Sequence, residues 1–137
     1  MSRTKAHDAK IYGIDWSNTH RDKLITCSLD MSIKVWFTNS LHSTDLPSQS
    51  FRAEHPVWRA RDLPFGHGFL SLPQRGENGP GLWTYNNTRP IETFEGHSDV
   101  VKEFVWRSQP SSKDDHGDIV HLILSYSPHI LQVKKFN

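Results

Sequence analysis

Residues 7–16 read HDAKIYGIDW and residues 97–106 read HSDVVKEFVW, two stretches whose His and Trp ends stand 90 residues apart. Apolar side chains coincide inside them, Ile11 with Val101 and Ile14 with Phe104. The likeness continues as LITCSLDMSIKV (24–35) over LILSYSPHILQV (122–133), now 98 apart, the extra length falling in the polar, turn-rich run QPSSKDDHG (109–117). A fainter middle copy keeps the period: FRAEHPV (51–57) lies over FEGHSDV (94–100), and Trp36 and Trp83 stand 47 apart. Repeats of roughly 43 to 47 residues, each holding several short strands, have the period of a propeller blade. The units they define are about 6–46, 47–90 and 91–137.

Side-chain alternation inside the units fixes their character. In residues 10–16, Ile11, Gly13 and Asp15 alternate with Tyr12, Ile14 and Trp16, and in residues 32–37, Ile33, Val35 and Phe37 alternate with Ser32, Lys34 and Trp36. A period of two, broken by SNTHRD (17–22) and by Asp30-Met31, predicts strands joined by tight turns. Residues 100–106 could be written as a helix, but their β-branched content and their match to the first unit favour a strand. The fold class expected is all-β: a partial propeller of about three four-stranded blades, the last incomplete.

Composition narrows the function. The 137 residues carry 16 Lys+Arg against 15 Asp+Glu, interspersed, for a formal charge of +1. That leaves no basic footprint for nucleic acid or an acidic membrane. No stretch has the length of a membrane span, and the N-terminus lacks the apolar run of a secretory signal. The hydrophobic share is only 35%, yet five Trp, seven Phe and three Tyr supply large surfaces to bury. The single cysteine, Cys27, sits in an apolar run and reads as a small buried residue rather than a nucleophile.

Residues His7, Ser28 and Asp30, followed by the run IKVW (33–36), resemble the WD-repeat signature, in which a Gly-His pair precedes a blade's inner strand and a Trp-Asp pair closes its third strand. Here the pairs read Ala6-His7 and Trp36-Phe37. The third unit has a clean Gly96-His97-Ser98-Asp99 but places Pro128 at the turn Asp and Lys134 at the Trp; the second has Glu54 at the His, Glu77 at the Asp, and keeps Trp83. The resemblance implies a structural network of His7, Asp30, Trp36 and a strand hydroxyl, Ser28 in preference to Thr26, with His97 as its third-unit counterpart. The stretches PVWRARDLPFG (56–66) and FEGHSDVVKEFVWR (94–107) further resemble WD-repeat subunits of SEA/GATOR-type complexes. That implies other protein subunits as partners, a non-catalytic scaffold role in relaying amino-acid status to the TOR kinase, and a cytoplasmic location, peripheral at the vacuolar or lysosomal membrane and reached through the complex rather than by insertion. An adaptor propeller of another complex, for ubiquitin-ligase substrate recognition or RNA processing, is the alternative.

Several constellations invite sharper chemistry. His7, Ser28 and Asp30 are the residue types of a hydrolase triad, but Ser28 ends a predicted strand with no glycine-rich elbow around it, so the structural reading is preferred. His116, His121 and His129, with Asp114, Asp115 and Asp118, follow no compact metal spacing, and no cysteine is near. Gly76, Gly79 and Gly81 precede neither a helix nor a Lys-Ser/Thr pair and read as a hairpin turn. No catalytic residue, metal or cofactor is therefore expected. Trp58, Arg59 and Arg61 form the most distinctive polar-aromatic cluster. Arg59 and Arg61 share one strand face, either to meet an acidic partner or to pair inside the fold. Three blades alone would leave two ends open, so the isolated chain is expected to be aggregation-prone, oligomeric or only partly folded.

Overall fold

The computed structural model describes residues 3–39, 46–64, 67–74, 79–93, 103–110, 119–126 and 131–136; beyond residue 102, side chains are described only at Phe104 and Trp106. Within them lie eleven strands in three antiparallel sheets. The first sheet runs β1 (Ile11–Trp16), β2 (Lys23–Ser28), β3 (Ser32–Phe37), β4 (Gln49–Arg52), and the second β5 (Val57–Asp62), β6 (Gly68–Pro73), β7 (Gly81–Thr84), β8 (Glu92–Thr93). The third holds β9 (Glu103–Pro110), β10 (Ile119–Tyr126) and β11 (Leu131–Phe136), with β10 in the centre. Each sheet is an up-and-down antiparallel meander, each strand hydrogen-bonded to the next in sequence.

The sheets end later than the sequence units. Gln49–Arg52 pairs with β3 and Glu92–Thr93 with β7, both past the unit borders at 46 and 90. The reason is local: the segments QSFR and ET bury only Phe51, so no alternation announces them as strands.

The first two sheets repeat one another in register. Both innermost strands carry an irregularity at the same place, between Ile11 and Gly13 in β1 and between Val57 and Arg59 in β5. Trp36 pairs with Leu24 and Lys34 with Thr26; Trp83 pairs with Phe69 and Gly81 with Ser71. Thr26, Lys34 and Trp36 of the first sheet thus correspond to Ser71, Gly81 and Trp83 of the second.

Apolar packing joins the sheets face to face. Ile25, Cys27, Ile33, Val35 and Phe51 of the first meet Val57, Ala60, Phe69 and Trp83 of the second. Phe69 stacks on Trp83 at 5.4 Å, and the Phe51 ring meets Phe69 edge-on at 5.1 Å, geometries that add to plain area burial. On the far side of the second sheet, Leu63, Leu70 and Leu72 enclose Phe104 of β9. One strand position shows the logic. Ala60 and Phe104 are each 2% exposed against the preceding sheet, whereas Ile14, their counterpart in β1, is 71% exposed. At Gly13 β1 passes tightly against β5: a Cβ there would stand 2.8 Å from Cys27 Sγ and 3.5 Å from the Trp58 carbonyl.

Candidate functional site

Among the described residues, the densest polar cluster is built on the β2–β3 turn. The turn residues Leu29, Asp30 and Met31 reverse the chain, and Met31 takes a left-handed conformation (φ 68°), the third position of a common three-residue hairpin. This presents the Asp30 carboxylate to four donors: the Ser32 amide (2.9 Å), the Ser32 hydroxyl (2.5 Å), the Asp8 amide (3.0 Å) and His7 Nδ1 (3.0 Å). His7 Nε2 lies 2.7 Å from Thr26 Oγ1, which also accepts the Trp36 indole N–H at 2.9 Å.

Donor capacity fixes the protons. The Asp30 carboxylate only accepts, so the hydrogen of the neutral imidazole sits on Nδ1, and Thr26 Oγ1, which accepts the indole N–H, turns its own hydrogen to His7 Nε2. Nε2 is then the bare nitrogen and Nδ1–H faces Asp30. The relay Trp36, Thr26, His7, Asp30 is closed with a neutral imidazole, and burial, the largest influence, lowers the His7 pKa below 6.5 against the pull of Asp30. Burial alone would raise the Asp30 carboxyl, but the hydrogen bonds from Ser32 and Asp8, with that from His7, outweigh it and hold Asp30 at about 2.

The structure brings His7, Asp30 and Trp36 together but puts Thr26, in place of Ser28, between the imidazole and the indole. Trp36 pairs with Leu24, and Thr26 is one same-face step along β2 while Ser28 is two. Ser28 instead braces the turn from behind, donating to the Lys10 carbonyl (2.8 Å) and accepting the Asp30 amide (3.1 Å). A Ser28 so committed and fully buried has no path to a substrate. His97 lies outside the described residues, as do Glu77, Pro128 and His116; the side chains of His121 and Lys134 are likewise not described.

The second sheet keeps half of this arrangement. Trp83 Nε1 donates to Ser71 Oγ at 2.8 Å, the counterpart of the Trp36–Thr26 bond. Ala53 stands as far before Val57 as His7 stands before Ile11, so the register puts a methyl, and not the Glu54 side chain expected from the sequence, where the imidazole would be. Lys34, whose ammonium donates to the Ala6 carbonyl at 2.8 Å, is matched by Gly81. A cleft of about 750 Å³ opens over these small residues at the seam of the first two sheets.

A second polar seam, not anticipated from the sequence, lies at the other end of β5. Buried Asp62 accepts from Ser17 Oγ (2.9 Å), the Asn18 amide (3.0 Å) and the Tyr85 hydroxyl, while its carbonyl accepts from Asn18 Nδ2 (3.0 Å). Lys23 is partly desolvated, its ammonium 3.5 Å from the centre of the Tyr85 ring; burial lowers its pKa and raises that of Tyr85. The one trace of it in the sequence is Asp62 itself, a carboxylate closing the inner strand VWRARD.

Trp58 packs on Tyr12 of β1 with ring centres 5.2 Å apart. The Arg59 guanidinium lies over the Trp58 ring at 5.6 Å and that of Arg61 over Phe104 at 5.7 Å, both half-buried. Burial raises the Asp15 carboxyl, and the Arg61 charge opposes that rise. The Cys27 thiol is pushed up to about 12 by burial, which keeps it an inert packing group. Among the described residues, no three His, Cys, Asp or Glu side chains gather as a metal site would require.

Blade-like meanders in register, stacked face to face and carrying an indole–hydroxyl bond at the same ladder position, define a repeat β-propeller. The WD domain, G-beta repeat family matches residues 1–36, and the chain belongs to the WD-repeat family as part of a propeller. It is 39% identical to the GATOR2 complex protein WDR59 of Homo sapiens over 81% of its length, which is 12% of that protein. A WD repeat-containing protein of Dictyostelium discoideum is 37% identical over 85% of the chain and 6% of its own length. An RWD, RING finger and WD repeat-containing protein of Schizosaccharomyces pombe is 36% identical over 77% of the chain and 8% of its own. The chain thus spans a small part of the curated relatives it matches.

Proposed function

We propose that the chain is a non-catalytic interaction element of a GATOR2-type assembly that relays amino-acid status to the TOR kinase. Its place is the cytoplasmic face of the vacuole or lysosome, reached through its companions. The observation that carries this reading is the match to a protein named for the GATOR2 complex across 81% of the chain. The architecture supports it, since propellers present rigid loop surfaces to partners and function follows from the site rather than the fold. No described helix is long and apolar enough to cross a membrane, which agrees with attachment through companions. The test is a native-mass pulldown of the chain from its source. Co-purification with the other subunits of a GATOR2-type complex is expected; recovery in a ubiquitin-ligase or RNA-processing assembly overturns the proposal.

Within this reading Trp58, Arg59 and Arg61 are the proposed partner contact, with two half-buried guanidinium groups on one strand. Reversing both charges, Arg59→Glu with Arg61→Glu, is expected to weaken co-purification severalfold while the melting temperature holds. A melting temperature that falls in step with binding assigns both arginines to the internal architecture, where their stacking on Trp58 and Phe104 already gives them a role.

A further inference from the structure

The cleft over Ser71 is the largest departure of the second sheet from the first, and its lining has a chemical direction. At its floor the Ser71 hydroxyl accepts the Trp83 indole N–H, and its own hydrogen meets no acceptor among the described residues. In the first sheet the equivalent hydroxyl hydrogen is taken by His7 Nε2. Ser71 is buried, so an unanswered donor there is a standing cost that an incoming acceptor would relieve. Ala53 and Gly81 leave the room for it, where the first sheet has an imidazole and a lysine.

The rim adds a charge. Arg52 and Arg89 border the cleft, both exposed, and neither has an ion-pair partner among the described residues. Glu54 and His55 also border it, so the formal balance at the rim is positive by one with His55 neutral. A hydrogen-bond donor below and guanidinium groups above suit a carboxylate, whose two oxygens can answer both. The size, about 750 Å³, lies within the range of pockets that enclose a small molecule and admits a few side chains of a partner.

We infer that this cleft receives an acidic segment of a protein partner, one carboxylate reaching Ser71 while Arg52 and Arg89 clasp it at the rim. The inference rests on the reading of the chain as a partner-binding element and names one surface through which it binds. The site arises where the second sheet lacks the residue that fills the first: Ala53, in place of an imidazole, leaves open a bond that the first sheet closes.

The test uses the chain together with its purified companions and reads hydrogen exchange in this chain's own peptides, with hexaglutamate as the probe. Protection is expected in residues 52–55 and 81–93, weakening as salt is raised. Hexaglutamine is expected to be at least tenfold weaker, and Arg52→Gln with Arg89→Gln roughly tenfold weaker for hexaglutamate, a loss typical of charge-assisted hydrogen bonds. Ala53→His, which restores the imidazole over Ser71, is expected to abolish protection. Should that variant disturb the seam, the arginine pair carries the test, because both side chains are exposed. No protection at millimolar hexaglutamate, protection indifferent to the arginines, or stronger protection by inorganic phosphate overturns the inference. Companions of a GATOR2-type complex without cleft protection sink the cleft alone. Cleft protection with no such companions sinks the assignment to that complex and leaves the cleft standing.

Discussion

The first and second sheets hold the same indole–hydroxyl bond at the same rung, 2.9 Å in Trp36–Thr26 and 2.8 Å in Trp83–Ser71, and differ in what lies beyond it. In the first, His7 and Asp30 extend the bond into a closed relay that reaches the β2–β3 turn. In the second, Ala53 ends it at the hydroxyl. Two tasks that the WD signature combines are therefore separable. The indole bond ties the second strand to the third inside a sheet, and both of these sheets have it. The His–Asp extension ties the entering loop to the turn, and only the first sheet has it. Where the extension is missing, Arg52 at the end of the first sheet and Ala53 in the connection to the second border the opening, and the seam becomes a surface that can recognise something else.

The largest effect expected from this contrast belongs to the relay. Asp30→Ala strands the His7, Ser32 and Asp8 donors together, and His7→Ala strands Thr26 and Asp30. Each is expected to cost about 2 to 3 kcal/mol, the range for losing hydrogen bonds to a charged or buried group. The double variant is expected to cost less than the sum, because both changes break one chain of bonds. In the second sheet Ser71→Ala removes a single bond and is expected to cost about 1 to 2 kcal/mol. A denaturant-based double-mutant cycle in an assembly that folds reversibly measures all of these. Strictly additive losses for His7 and Asp30, or a Ser71 variant as costly as Asp30→Ala, would erase the distinction between the sheets.

Acid should distinguish them next. His7 has a folded pKa below 6.5, so the unfolded chain binds the proton more readily, and its contribution is intact above pH 6.5 and falls as pH drops through the folded value. Asp30, depressed from 3.8 to about 2, contributes stability that is fully present above pH 3.8 and is lost as pH falls toward 2. The second sheet's Trp83–Ser71 pair has no group that titrates in either window. Moving from pH 7.5 to 5.5 is therefore expected to speed amide exchange in β3 several-fold relative to β7, after correction for intrinsic rates. Equal changes in the two strands, or slower exchange in β3, would show that the imidazole is not held neutral by its burial.

Much of the fold was legible because strands announce themselves by alternation and by repetition. The match of Ile14 to Phe104 marked one inward position in two sheets, though which sheet supplies the cover was not in the residues. The edge strands β4 and β8 were not legible, since edges need no buried face and QSFR and ET carry almost none. At the relay, His7, Asp30 and Trp36 are distinctive residue types. The choice between Thr26 and Ser28 was hidden, because both lie on one face of one strand and only the pairing of Trp36 with Leu24 decides it. The seam at Asp62 joins residues far apart in the chain, and a lone aspartate ending VWRARD carries no mark of the loop it will meet.

The smallest effect is the most discriminating. At Gly81 an added Cβ would lie 3.1 Å from both Ser71 Oγ and Trp83 Nε1, a tight approach that asks the neighbours to yield by a few tenths of an ångström. The first sheet shows that they can. Lys34 occupies the same rung beside the same kind of bond, with its own Cβ, and the Trp36–Thr26 distance is still 2.9 Å. A glycine inside a strand also forfeits about 0.5 to 1 kcal/mol to alanine through the freedom it loses on folding. Gly81→Ala is therefore expected to leave stability within about 1 kcal/mol of the parent, on the stabilising side, while narrowing the floor of the cleft where a carboxylate would reach Ser71. Thermal melting and hexaglutamate protection, read on the same sample, should part company: the first nearly unchanged, the second reduced severalfold. A melting temperature that falls by several degrees would mean that the second sheet is packed more tightly around its hydroxyl than the first, and that the missing imidazole has been closed over rather than left open.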